Sequence, residues 1–251
     1  MHTLYLWLDT GRDACTNMGI DEAMLYEASR GASILRIYWF EPHAATIGFF
    51  QRLLDAVDLE ACRWYGVKVV RRITGGGSVY HDNLGEVTYS IAVPAHLVEN
   101  MRVDESFRFL SRWLLYALEE LGVEGGYAGY NDIVVEGRKV SGNAQVRRGG
   151  GVLQHGTLMY ATRLSILVRV LRIPPGKRRV IQERVTTLSQ VLGRRIERDE
   201  VIDAIVRGVK RWSGEAGFKL LEIPEELRSR LVRLGESLSW RYCSGEWLWR
   251  R

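Results

Sequence analysis

The residues best equipped to do chemistry lie in one run, Arg71-Arg72-Ile73-Thr74-Gly75-Gly76-Gly77-Ser78-Val79-Tyr80-His81-Asp82, directly after an apolar, strand-like stretch. Three consecutive glycines lose much conformational entropy on ordering, so a chain that keeps them between two strands points to a backbone that must approach a ligand closely. Consecutive N–H groups in such a loop can form an anion-binding nest, and neighbouring guanidinium groups can hold phosphate or carboxylate oxygens bidentately. Gly75, Gly76, Gly77 and Ser78, with Arg72 as counter-charge, are therefore candidate anion-binding residues. The run is not a P-loop, since GxxxxGK[ST] is absent, and it lacks the GxGxxG dinucleotide fingerprint. Read alone, it is as well explained by a flexible loop beside a surface arginine pair.

A second constellation is Asn131-Asp132-Ile133 followed by Gly137-Arg138-Lys139-Val140-Ser141-Gly142-Asn143. DIVVEGRKVSGNAQ is predicted to form a β-hairpin turning at Glu136-Gly137, which places Asp132 and Lys139 on opposing strands so that an acid and a cation converge. A lone lysine in such a place is ordinarily solvated. The third is Gln154-His155-Gly156-Thr157, a histidine inside an apolar strand, for which a buried, hydrogen-bonded ring is the plainer reading. The three cysteines, Cys15, Cys62 and Cys243, form no CxxC or Cys/His ligand spacing and read as buried or idle thiols.

The elements that must position these groups follow from periodicity. LYLWLDT reads as a strand leading into a helix over NMGIDEAMLYEAS. ASILRIYWF and ATIGFFQ read as short strands, Leu54 to Tyr65 as an amphipathic helix, and VKVVRR, EVTYSIAVP and GVLQHGTLMY as strands. Residues 105–121 carry a helical pattern, the chain beyond Pro174-Pro175-Gly176 changes to helical patterns (SQVLG, then 198–212), and the last segment is rich in aromatics. With 251 residues, 46% of them hydrophobic, and no internal repeat or linker, a single α/β (α+β) domain over residues 1–251 is expected, its C-terminal helical and aromatic segment starting near residue 190.

No stretch approaches the roughly 18 apolar residues that span a bilayer, and the first residues lack the basic start and apolar run of a signal peptide, so a cytoplasmic protein without a membrane partner is expected. The net charge of +5, with basic residues thickening between Arg147 and Arg179, suits an acidic partner or a phosphate-bearing substrate. A basic nucleic-acid-binding protein is the alternative of a different class, motivated by Arg147-Arg148, Lys177-Arg178-Arg179 and eight tryptophans. No helix-turn-helix, RNP or zinc signature accompanies them, and no nucleic-acid partner is expected.

Taken in order, NMGIDEA, LRIYWFEPHAATIGFFQ, RRITGGGSVYHDNLGEVTYSI, YNDIVVEGRKVSGNAQ, GVLQHGTLMY and RVTTLSQ resemble the lipoate-protein ligase A family, over residues 1 to about 190. The resemblance implies the class II biotin and lipoate ligase fold, a mixed β-sheet flanked by helices. It also implies activation of lipoate by ATP and magnesium to lipoyl-AMP, then transfer to a carrier lysine. The carriers implied are lipoyl domains of 2-oxoacid dehydrogenase E2 subunits and the glycine-cleavage H protein. By the same resemblance Arg72, Gly77, Ser78, Val79, Tyr80 and Lys139 match adenylate contacts, while His81, Asn131, Asp132 and His155 match positions lining the same pocket. Ser141, Gly142, Gly156 and Thr157, within the matching motifs, join the expected binding set. Lys139 and Asp132 are the expected catalytic pair, with Asp132 as a magnesium ligand.

Relatives on this fold offer another chemistry. Octanoyltransferases pass the acyl group through a cysteine thioester without ATP; in the form most like this sequence that cysteine sits just before the hairpin, where GGYAGYNDIVVEG has none. In the other form it sits in a Pro-Cys-Gly context, unlike the RYCSGEW around Cys243. Biotin ligases are a further alternative, against which RRITGGG and KVSGNAQ favour lipoate. Many family members continue into a small accessory domain. Its expected absence here implies a separate small accessory subunit.

Overall fold

The computed structural model describes residues 2–173 and 183–250, and its strands are laid out as period-two patterns dictate. β1 (His2–Arg12) leads through α1 (Ala14–Ser29) to β2 (Ser33–Phe40), which lies parallel to it. A parallel return requires a crossover, and α1 supplies it. Its start is fixed by Asp13, whose carboxylate accepts from the N–H groups of Cys15 and Thr16. Antiparallel neighbours follow in β6 (Glu86–Pro94), β10 (Gly151–Met159), β9 (Arg138–Arg148), β8 (Asp132–Val135) and β7 (Gly125–Ala128). β11 (Phe218–Glu222) adds in parallel to β1, giving the order β11-β1-β2-β6-β10-β9-β8-β7. A second sheet, β4 (Lys68–Arg71), β3 (Ala44–Ile47) and β5 (Val79–His81), runs in the order β4-β3-β5.

Alternation assigns each strand residue to a face. Leu35 and Ile37 of β2, with Val87, Tyr89, Ile91 and Val93 of β6, pack in one cluster with α4 (Val103–Glu120), α6 (Leu188–Leu192) and α7 (Arg198–Glu215). On the opposite face Ile34, Tyr38 and Phe40, with Ala92 and Leu153, pack against α1 and α8 (Glu225–Cys243). α1 and α8 approach so closely that a Cβ on Gly19 would fall 2.1 Å from the carbonyl oxygen of Gly235. A third apolar cluster joins the small sheet to α2 (Leu53–Ala56), α3 (Leu59–Trp64) and α5 (Leu164–Val170).

Three sequence expectations change. The helix expected over Leu54 to Tyr65 is two, because Val57 bridges to Leu171 and Asp58 turns its side chain to cap α3 at the N–H of Ala61. β11 and α8, unread in the sequence, close one edge and one face of the large sheet. The thiols read as idle are not all free: Cys15 and Cys243 form a disulfide across 228 residues of chain, their Cα atoms 5.5 Å apart. Only Cys62 is free, and it is buried. Pro174-Pro175-Gly176 and the Lys177-Arg178-Arg179 cluster lie outside the described residues. No helix among them is long and apolar enough to cross a membrane.

The disulfide joins the start of α1 to the end of α8. Cross-linking such a long loop restricts the unfolded chain, so Cys243→Ser is expected to lower unfolding free energy by about 2–4 kcal/mol. Urea unfolding of the two proteins, each with and without reductant, checks this. Equal midpoints for the reduced and oxidised wild type would show that the bond does not hold the fold.

Candidate active site

The site forms where the two sheets meet. The glycine-rich loop connects β4 to β5 of the small sheet, and β10 with the β8–β9 hairpin supplies the facing wall. The hairpin turns where the sequence predicts, with positive φ at both Glu136 (51°) and Gly137 (73°), the pairing that a two-residue turn of matching twist requires. Its register sets Val134 opposite Lys139 and Asp132 opposite Gly142, with a bulge between Ile133 and Val134. The result is an ion pair, Lys139 Nζ to Asp132 Oδ1, at 2.6 Å. Both side chains stay about one-third exposed (36% and 33%), so the charges meet at a solvent-reachable wall. Gly142 makes room for them: a Cβ there would lie 2.5 Å from Lys139 Nζ. On the other side of Lys139, Thr186 of the RVTTLSQ run donates its N–H to the lysine carbonyl at 2.9 Å.

Two cavities meet at this pair. The smaller, about 130 Å³, is bounded by Met18, Tyr38, Phe40, His81 and His155. The larger, about 720 Å³, runs past Tyr80, Asp132, Met159, Leu167 and Arg184. Gly77, Ser78, Val79, Lys139, Gly142 and Thr157 line both. Arg72, Gly76, Asn131 and Gly156 line the smaller cavity as well. Gly75 and Ser141 line neither; the Ser141 hydroxyl is buried without a partner among the described residues.

Arg72 departs from the sequence reading. Its guanidinium does not reach out for an anion. It is buried and donates to Gly75 O (2.6 Å), Gly77 O (2.7 Å), Thr46 O (3.2 Å), Thr46 Oγ1 (3.3 Å) and Thr74 Oγ1 (2.9 Å). Burial pushes its pKa down to about 10, still leaving it charged at neutral pH. By drawing the loop carbonyls inward, it leaves the N–H groups of Gly75 to Ser78 with no acceptor among the described residues, the arrangement an anion nest needs. Arg71 is likewise buried and holds backbone: Gly48, Phe49 and Gln51 on one side, Trp247, Leu248 and Arg250 of the C-terminal segment on the other.

His155 is buried with both ring nitrogens bonded, Nδ1 to Asp21 at 2.8 Å and Nε2 to Thr74 Oγ1 at 2.7 Å. His81 is held the same way, between Glu86 at 2.7 Å and Thr46 Oγ1 at 3.0 Å, and stacks on Phe40. Asp21 also accepts from Ser90 and Tyr38, and pairs with Arg36, which is buried against Asp9 and Asn17. Sequence reasoning took NMGIDEA as a helix and as a family motif, and gave Asp21, Thr46 and Thr74 no role. A visible signal was there: two polar residues one turn apart on the apolar face of a helix, and an arginine inside SILRIYWF, demand mutual partners. Asn131 and Asn143 lock the hairpin entry to β9 through paired backbone contacts.

No cysteine lines either cavity. Cys62 lies in the third apolar cluster, its thiol raised to about 11 by burial and then by the Asp58 charge. Asp132 belongs to no group of three histidine, cysteine or acidic side chains placed to share an ion, among the described residues.

The lipoyl protein ligase A/B catalytic domain model matches residues 13–210, a span that contains every one of these groups except Asp9 and the C-terminal clamp. The chain belongs to that family. Its curated relatives include octanoyltransferase LipM of Symbiobacterium thermophilum, 36% identical over 244 residues (85% of this chain, 88% of the relative), and that of Moorella thermoacetica, 35% identical over 272 residues (97% of each). Among solved structures, a bi-partite lipoate protein ligase from Thermoplasma acidophilum superposes with a TM-score of 0.83 at 28% identity, covering 99% of this chain and 97% of that one. A lipoate-protein ligase A bound with ATP follows at 0.80 and 27%, covering 99% and 98%. The mixed sheet flanked by helices is therefore the lipoate-protein ligase fold, and the chain is an enzyme of the lipoate and biotin ligase family.

Burial is the largest influence on His155 and lowers its pKa below 6.5, Arg72 and His81 adding to this against the opposing effect of Asp21. The unfolded chain then binds more protons than the folded one as pH falls below the ordinary histidine value, so stability is present above it and lost on acidification. The thermal midpoint is expected to drop between about pH 7 and about pH 5.5, and to drop less in His155→Gln. Parallel curves for the two proteins would remove His155 as the cause.

Proposed function

We propose that this chain transfers a medium-chain acyl group, octanoyl or lipoyl, from an activated donor to a lysine of a carrier domain. The observation that carries the reading is the Lys139–Asp132 pair at the junction of two cavities, opposite a loop of unpaired N–H groups. The smaller cavity, ended by Met18, Tyr38 and Phe40, takes the acyl tail, and the larger admits the donor's head group and the carrier lysine. The octanoyltransferase relatives favour octanoyl transfer over the ATP-dependent lipoate ligation expected from the sequence resemblance.

A specific observation supports the second reading for the donor itself. A route through an acyl-enzyme thioester needs a thiolate at the acyl carbon, and among the described residues neither cavity is lined by one. An acyl-adenylate needs none. Its phosphate is held by the loop N–H groups and by Lys139, which also offsets repulsion between carboxylate and α-phosphate during activation. Asp132 would offer one carboxylate to a magnesium ion brought with ATP, which would offset the phosphate charge.

In the transfer, the carrier amine forms the N–C bond, the acyl–oxygen bond to phosphate breaks, AMP leaves, and one proton departs from the amine. At pH 7 a free lysine is neutral about once in 2,500 times, a handicap of roughly 4–5 kcal/mol. The Lys139 cation disfavours a second ammonium beside it, and Asp132 is placed to take the proton. The carriers fitting this reading are lipoyl domains in the cytoplasm; the bi-partite ligase of Thermoplasma acidophilum has an E2 lipoyl domain as its partner. That bi-partite ligase also supports a separate accessory subunit here.

The test supplies octanoyl-AMP, octanoyl carrier thioester, or ATP with lipoate or octanoate, and reads the mass of a lipoyl domain. Transfer from octanoyl-AMP is expected, lost by more than 100-fold in Lys139→Ala and largely kept when all three cysteines are replaced by serine. ATP-dependent modification is expected to require the accessory subunit. A trapped acyl-thioester on one cysteine would overturn the adenylate reading, and full turnover by Lys139→Ala would overturn the site.

A further inference from the structure

Arg72 is buried, yet no carboxylate touches it among the described residues; two side-chain relays reach it instead. In one, Asp21 Oδ2 lies 2.8 Å from His155 Nδ1, and His155 Nε2 lies 2.7 Å from Thr74 Oγ1, which accepts from Arg72 Nε at 2.9 Å. In the other, Glu86 Oε1 lies 2.7 Å from His81 Nδ1, and His81 Nε2 lies 3.0 Å from Thr46 Oγ1, which accepts from Arg72 Nη1 at 3.3 Å. The direction of each relay follows from its ends. Asp21 accepts from Ser90 and Glu86 Oε1 accepts from Thr88, so each carboxylate is the acceptor of the imidazole Nδ1–H. The other ring nitrogen must then accept the threonine O–H. Once it has given up its proton, the threonine oxygen can only receive the guanidinium N–H.

We infer that these two carboxylate–histidine–threonine relays are positioning devices for acyl-donor binding: they aim Arg72, and Arg72 holds the Gly75 and Gly77 carbonyls so that the N–H groups of Gly76 to Ser78, which line the cavities, remain available to a phosphate-bearing donor. The inference rests on the acyl-transfer reading and adds a division of labour to it. Asp21, Thr74 and Glu86, which line neither cavity, act through Arg72 on whether the loop can hold the anion. Gly76 at φ 91° is the hinge that lets the loop fold back over the guanidinium, within 3.1 Å of which its Cβ would fall. Gly48 completes the fit, since a Cβ there would meet Gly76 O at 2.0 Å.

Thr74 separates positioning from contact, because it is fully buried and lines neither cavity. Calorimetric binding of two probes is compared in wild type, Thr74→Val and Thr74→Ser: the octyl ester of AMP, which is anionic and does not hydrolyse as an anhydride does, and uncharged octanamide. Thr74→Val is expected to bind the ester about tenfold or more weakly while octanamide stays within about twofold, and Thr74→Ser to restore ester binding. Adding Thr46→Val should weaken the ester further. Unchanged ester binding in Thr74→Val, or equal loss of both probes with a fallen thermal midpoint, would overturn the inference. Wild type that binds octanamide but not the ester would overturn it while leaving acyl binding intact; wild type that binds neither would overturn the acyl-transfer reading and this inference with it.

Discussion

A guanidinium held in the protein interior without a carboxylate beside it is the constraint around which this site is organised. Removing Arg72 from water is costly, and its depressed pKa records that cost. Its charge is tolerated because its N–H groups are directed at oxygens: two loop carbonyls, a strand carbonyl and two hydroxyls. Each requirement propagates. The hydroxyls need acceptors for their own protons, the histidines need carboxylates, and Asp21 needs Ser90, Tyr38 and Arg36. A polar network thus runs from α1 through the large sheet to the glycine loop of the small one.

The same logic explains why α1 and α8 are so firmly joined. α1 carries Asn17 and Asp21 into the network on one side, and on the other meets α8 at Gly19 and Gly235, through Glu22 with Arg241 and Tyr242, through Glu27 with Arg230, and by the Cys15–Cys243 disulfide. Beyond α8, the short helix α9 (Gly245–Leu248) and the residues after it give their carbonyls to Arg71. The two arginines that open the motif therefore fasten neighbouring pieces of backbone: Arg71 ties the C-terminal segment to the 48–51 turn, and Arg72 ties the loop to the floor. A mobile loop of three glycines would otherwise lose its binding geometry to conformational entropy.

How much of this was legible beforehand divides along the range of the forces involved. The β8–β9 hairpin, the placing of Asp132 and Lys139 on its two strands, and the glycine loop between strands follow from local rules: a turn that needs two positive φ angles, alternation at period two, and glycine where backbone must come close. Those rules act over a few residues, and the sequence alone determined them, along with the family through the order of its motifs. Tertiary structure alone decided what Arg72 does, because its partners Thr46 and Gly77 arrive from another strand and from the far side of its own loop. It likewise decided the pairing of Cys15 with Cys243, the breaking of the helix at Val57, and the meeting of His155 with Asp21 across 134 residues. A buried charge is stabilised by whatever oxygens the fold brings within about 3 Å, and that is set by how sheets and helices pack rather than by spacing along the chain.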